Sequence, residues 1–371
     1  MQHSIERWRI RLAAVAWFVL GLGFLLGLPV VLDSSPWALI AVLVLALLLA
    51  LPASWIWRVA FDRDRRHTFV LHWMRLSVAL LFGLSFLAAA PIYYLAIVTE
   101  TRPVIMPQAT LTNGHKTVVF QGMQHVGSEN FYQSVIYDVE KALAEGYVIY
   151  YEGVKTETPE SKEFFAKLSS ALTGNTNLTR AYKIMSQTCG LKFQTDYFTL
   201  LEADKREHPD RHVIADVDAI EMKQEYERLM QTDPEFARVH ADDFSQAAGE
   251  DPSAALAGAI EWLESGSEGQ KKLAGVVCRG IMTLEFAPKE AKEPGKFDPI
   301  VLDLRNRALA ERITGAGQDK IFITYGARHL SGVFDLLKQQ DPNWRVATVK
   351  WIRTIEVPKK HFEGMLPGEG G

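Results

Sequence analysis

Cysteine is almost missing from this chain: Cys189 and Cys278 are the only two in 371 residues. They lie far apart and match no zinc-ligand or Cys-x-x-Cys spacing, which excludes a disulfide-built scaffold and a cysteine metal knuckle. In an oxidising compartment they could pair with each other. Runs of basic residues are missing too. Lys and Arg number 40 against 44 Asp and Glu. The first hundred residues carry 8 of those basic and 5 of those acidic residues, so the remainder is mildly acidic, with a net charge of −7. Such a chain has no electrostatic footprint for nucleic acid, which is excluded as a partner. Also absent are Gly-x-Ser-x-Gly, a Walker A loop, a dinucleotide fingerprint and His-Glu-x-x-His, which argues against the corresponding hydrolase, nucleotide and zincin classes.

The chain does have long charge-free runs near its start. Residues 12–32, 37–57 and 76–98 are each apolar enough, and near enough to the ~20 residues a bilayer requires, to predict three transmembrane helices. The first run exceeds the ~7–15-residue apolar core of a signal peptide and no small-residue cleavage pattern follows it. Arg7, Arg9 and Arg11 precede the first span, and Arg58, Arg63, Arg65 and Arg66 crowd the loop between the second and third. The positive-inside rule puts both clusters in the cytoplasm, so the N-terminus is cytoplasmic and the C-terminal part emerges outside, in the periplasm of a Gram-negative cell. The spans contain no acid or paired charge of the kind that marks a transport path, so residues 1–100 read as an anchor in the lipid bilayer.

Residues 101–116, with Pro103, Pro107 and an Asn113-Gly114 turn signal, read as a linker, 117–357 as an α/β domain, and 358–371 as a loose Gly- and Pro-rich tail. Within the domain two stretches stand out: Val118–His125 (VVFQGMQH) and Ile321–His329 (IFITYGARH). Each is an apolar, β-branched and aromatic run that stops at a glycine, with a histidine three residues on, then a helical pattern and a second apolar run. That is the pattern of a βαβ unit with the histidine at the strand-to-helix handover. Ser128 is the expected N-cap of the first crossover helix, and the strand ending at Tyr151 delivers Glu152. His212–Ala215 forms a short buried strand running into Asp216. Residues 219–284 read as a helical insert broken at Asp233-Pro234, 249–252 and 265–269.

Ligands in open α/β sheets bind outside the carboxyl ends of the strands, so His125, Glu152 and His329 are expected to share one crevice. Two neutral imidazoles and a carboxylate form a plausible set for a divalent metal with an open position for water, whose pKa the metal would lower. The competing role for Glu152 is an ion pair with Arg305 or Arg328, and for each histidine a hydrogen bond to its own loop. Asp216 serves either as a further site residue or as a helix N-cap. Tyr325 either donates to a developing oxyanion or packs. Arg305 and Asn306 sit on an amphipathic helix, where most arginines are solvated.

Gly122-Met-Gln-His125-Val126-Gly127, the strand-end Glu152, Leu304-Arg305-Asn306-Arg307 with Ala310-Glu311-Arg312-Ile313, and Gly326-Ala-Arg-His329-Leu330, in that order, resemble the TraB/PrgY/GumN family, related to the TIKI membrane-anchored proteases and more distantly to the erythromycin-esterase/ChaN-like fold. The resemblance implies a mixed α/β domain and, for the TIKI branch, peptide hydrolysis dependent on a divalent metal (Mn, Co or Zn). It assigns catalysis and metal binding to His125, Glu152 and His329, with Arg305 and Asn306 in support. Two positions depart from the family's usual pattern. Val154 stands where an acidic residue is common, and Arg328 where the second motif often has glycine; an arginine there could bind an anionic group of a substrate or crowd a metal. The expectation is a membrane-anchored, extracytoplasmic, metal-dependent hydrolase, peptidase-like; the alternative is a membrane protein that binds a peptide, signal or metal without turnover.

Overall fold

A computed structural model describes residues 21, 36–60, 68–173, 178–241, 265–286 and 295–357. The chain divides into two compact units: Met1–Val98 with Glu261–Ile281, and Thr99–Ile260 with Met282–Gly371.

In the first unit, α1 (Pro36–Ala60) and α2 (Phe69–Thr101, which runs on into the second unit) are both long and apolar enough to cross a membrane. Both leave large apolar residues uncovered, among them Leu48, Trp55, Ile56 and Val59 on α1 and Phe86, Leu87 and Ile97 on α2. Water would penalise such surfaces and lipid would not. These helices coincide with the second and third expected spans. The expected first span, 12–32, lies outside the described residues except for Gly21, so two apolar helices, not three, are seen among them.

The second unit is a mixed α/β domain on a six-stranded sheet. Its elements are β1 (Ile105–Thr112), β2 (Thr117–Met123), β3 (Val126–Gly127), α3 (Glu129–Ala144), β4 (Val148–Tyr151), α4 (Pro159–Thr173), α5 (Leu178–Cys189), β5 (Lys192–Phe193), α6 (Gln194–Phe198), α7 (Glu202–Glu207), β6 (His212–Ile214), α8 (Ala219–Thr232), α9 (Pro234–His240), α10 (Glu268–Phe286, which begins in the first unit), α11 (Arg305–Gly315), β7 (Lys320–Gly326), α12 (His329–Gln340) and β8 (Arg345–Arg353). The sheet order is β6-β4-β7-β2-β1-β8, and β3 pairs with β5 separately. The pairs β6–β4, β4–β7 and β7–β2 are parallel, while β1 is antiparallel to both neighbours.

Parallel strands covered on both faces need continuous apolar runs, which is why Ile321–Tyr325 does not alternate. Ile321, Ile323 and Tyr325 face α11 and α12 through Leu309, Ile313, Val333 and Leu337. Phe322 joins Ile149 and Met123 against Phe131, Val135 and Val139 of α3 on the other face. Ser128 caps α3, accepting from the Phe131 amide.

Several expectations change. Residues 105–112, expected within a linker, form β1, and Asn113-Gly114 is the β1–β2 hairpin turn, with Gly114 at φ 93°. The loop between the strands is Asn113–Lys116, and glycine takes the positive φ at its second position without steric cost. The strand after α12 does not return beside β7: β8 pairs with β1, two strands away. The N-cap of α8 is Asp218, with a full capping box to Glu221, and not Asp216. Of the helical insert, residues 242–264 lie outside the described residues, as do 287–294 and the tail from 358.

Candidate functional site

The carboxyl ends of β2, β4, β6 and β7 bring the candidate residues together. In the β2–β7 register Met123 faces Gly326, so the two Gly-x-x-His segments leave the sheet side by side, offset by one residue. Gly122 permits this: a Cβ there would lie 2.9 Å from both Pro107 O and Ala327 Cβ.

Arg305 is the hub. It sits where a π-helical turn (Pro299–Leu304) passes into α11, an irregularity often found at functional sites. Its Nε and Nη2 donate to Asp216 Oδ1 and Oδ2 at 2.9 and 2.6 Å, and Nη2 also donates to Glu152 Oε1 at 2.7 Å. The guanidinium lies 5.2 Å from the centre of the Tyr325 ring. Both carboxylates are fully engaged. Glu152 Oε2 accepts from the Gly326 amide at 2.6 Å, and Asp216 accepts from the amides of Gly153 and Val217. Burial pushes both carboxyl pKa values up, but Arg305 outweighs it, with His329 and His125 adding to the effect on Glu152, so both remain anionic below the usual range. Burial lowers the Arg305 pKa, and its two carboxylate partners more than restore it, so the guanidinium stays charged.

His329 is 3% exposed. Its Nδ1 donates to Asn306 Oδ1 at 2.7 Å, which leaves the Nε2 lone pair 4.0 Å from Glu152 Oε1 and 3.5 Å from Arg305 Nη1. Burial and Arg305 lower its pKa to about 4 against the pull of Glu152, so the ring is neutral near pH 7. Gly332 makes room for this pair, since a Cβ there would overlap the Asn306 amide. Tyr325 stands edge-on to His329, ring centres 4.8 Å apart, and its buried hydroxyl affects the Asp216 pKa without making a hydrogen bond of good geometry. His125 is half-buried, with the Gln194 amide 2.9 Å from Nδ1 and the Tyr182 ring 4.4 Å away. Burial lowers its pKa too, although Glu152 opposes this.

His125, Glu152, Asp216, Arg305, Asn306, Tyr325 and His329 therefore gather at one place. Arg328 does not join them: it is exposed and forks onto Asp298 at 2.9 and 3.0 Å. The ion-pair partner of Glu152 is thus Arg305. Tyr182 and Gln194 were not foreseen. They come from α5 and α6, and no motif in the sequence marks them.

The donor chemistry suits a divalent cation. His329 is held as a metal-ligating histidine is, its Nδ1–H donating to Asn306 Oδ1 and its Nε2 lone pair free of that bond; at His125 the Gln194 amide donates to Nδ1, which places the proton of the neutral ring on Nε2; and two carboxylates against one guanidinium leave one negative charge. The placement is less favourable. Among the described residues no group of three or more His, Cys, Asp or Glu is arranged to hold a metal. Comparison of the chain with family models, curated proteins and solved structures finds no match.

Proposed function

We propose that this protein is a membrane-anchored hydrolase of the TraB/PrgY/GumN type on an erythromycin-esterase/ChaN-like domain, acting on peptides outside the cytoplasm. The observation that carries this reading is an anionic Glu152 within the electrostatic reach of two neutral, half- or fully buried histidines at adjacent parallel strand ends. Perturbed titratable groups gathered in a sheet crevice are what acid–base or metal-assisted hydrolysis requires. The anchor is three spans, two of them α1 and α2, with the N-terminus in the cytoplasm. Neither cysteine is free, which suits an oxidising compartment.

A divalent ion would be held by His125, Glu152 and His329 and would supply a water activated near neutral pH. Arg305 keeps Glu152 ionised and oriented, and Asn306 fixes the tautomer of His329 so that Nε2 faces the crevice. Capture of a ligand without turnover is the second reading. It is favoured by one feature: both Glu152 oxygens already have hydrogen-bond partners.

Full-length protein in lipid nanodiscs, dialysed and then offered Mn²⁺, Co²⁺ or Zn²⁺, should retain near-stoichiometric metal by elemental analysis and cleave members of a peptide library. Glu152→Gln and His329→Ala should each abolish cleavage while the fold persists. Metal retention without cleavage would support the binding reading. Cleavage undiminished by chelator, or surviving in both variants, would refute the metal-dependent reading.

A further inference from the structure

Beside Glu152 lies a cavity of about 200 Å³, below the ~300–1,000 Å³ of a site for a whole drug-sized ligand and suited to one side chain. Its apolar lining is Met123, Tyr151, Phe198, Leu201 and Ile214; beside Glu152 the polar lining is Gln194, Thr195 and Thr324, with the ion-paired Glu202 and Lys205. Tyr151, the last residue of β4, and Glu152, which follows it, both line the cavity, so a group that touches this ring is held near the candidate reaction centre.

The wall is rigid. Tyr151 Oη is 2.8 Å from His212 Nδ1, and His212 Nε2 is 2.7 Å from Asp204 Oδ2. The other oxygen of Asp204 accepts from Arg211 at 2.8 Å. The Tyr151 and His212 rings are nearly coplanar in orientation, 8° apart, and Phe198 meets Tyr151 edge-on at 5.7 Å. The His212 side chain is 1% exposed, whereas Asp204 and Arg211 at the far end of the chain are 31% and 28% exposed, so the buried imidazole links the Tyr151 ring to a partly solvated ion pair. Locking the ring accounts for it, because a specificity pocket works only when its walls are held by supporting contacts.

We infer that this cavity is the specificity pocket of the proposed peptidase, taking an apolar or aromatic side chain of the substrate next to the bond held at Glu152. The inference rests on the hydrolase reading for the word substrate, but the pocket is testable by binding alone. Full-length protein in nanodiscs is examined by saturation-transfer NMR with N-acetyl-phenylalaninamide and N-acetyl-glycinamide, alongside Ile214→Trp, which fills the cavity from its exposed rim. Phe198→Ala, which removes a wall, is the second variant. The aromatic amide should bind and the glycine amide should not, with binding weakened roughly tenfold or more in Ile214→Trp and reduced in Phe198→Ala. In the peptide library the wild type should select apolar side chains at one position, and Ile214→Trp should shift that preference towards glycine and alanine. Equal binding of the two amides, or binding unchanged in both variants, would overturn the pocket. Selective amide binding without peptide cleavage would uphold the pocket and sink the hydrolase reading instead.

Discussion

Replacing Arg305 by methionine tests the electrostatic design of the site directly. Methionine keeps an apolar stem of similar length but removes every donor to Glu152 and Asp216. The side chains of Arg305, Glu152 and Asp216 are 10%, 19% and 0% exposed, so water can replace the lost contact only in part at Glu152 and not at Asp216. Removing one partner of a buried ion pair typically costs ~3–5 kcal/mol, because it leaves an uncompensated buried charge. At ~2–4 °C per kcal/mol for a domain of this size, the melting temperature at pH 7.5 should fall by roughly 10 °C. The loss should also depend on pH. In the wild type both carboxyl pKa values are lowered, so their pairing contributes fully above the unfolded pKa of about 4 and is lost only as pH falls through the lower folded values. In Arg305→Met, burial acts without the guanidinium and pushes both pKa values up, so acidification neutralises the buried charges. The deficit relative to wild type should therefore shrink between pH 7.5 and pH 4.5. Thermal unfolding of the full-length protein, followed by circular dichroism at both pH values, measures it. A deficit below about 1 kcal/mol, or one of equal size at both pH values, would refute the hub role of Arg305.

The His329 ring should stay neutral in NMR titrations until the pH approaches 4. Because that folded pKa lies below the unfolded ~6.5, its contribution to stability should be complete above pH 6.5 and decline as pH drops towards 4. A ring that titrates near 6.5 would contradict the burial argument. Gly332→Ala should destabilise the domain by ~1–3 kcal/mol and break the Asn306–His329 hydrogen bond, visible as a shift of the His329 ring resonances. Arg328→Ala, by contrast, should change stability by less than ~1 kcal/mol, since its pair with Asp298 is exposed. A cysteine introduced at the exposed His115 should react with a membrane-impermeant maleimide added to intact cells; labelling only after lysis would reverse the proposed topology.

Much of the fold was legible because it rests on local signals. Ser128 announces α3, the uninterrupted apolar run at Ile321 announces a strand covered on both faces, and Glu152 and the two histidines fall at strand ends. The hairpin was misread because Pro107 and the Asn113-Gly114 pair suggested a linker, although proline is tolerated in β1. Asp216 was ambiguous because an aspartate after a strand and before a helix fits an N-cap equally well. Asp218, two residues on, took that role and released Asp216 to Arg305.

What the sequence by itself determined is whatever a short segment settles with water or lipid alone: the long charge-free helices, the strand ends, and which titratable groups they carry. What only the tertiary structure decided is which of those groups meet. Arg305 reaches Asp216 across 89 positions and Glu152 across 153. Nothing in its own helix distinguishes it from Arg307, which pairs with Glu225 near the surface. An arginine on an amphipathic helix is solvated or buried according to what packs against it. Here the carboxylates of two separate strand ends pack against it, and the sheet order that brings them there is set by the long-range pairing of β4 and β6 with β7 between β4 and β2.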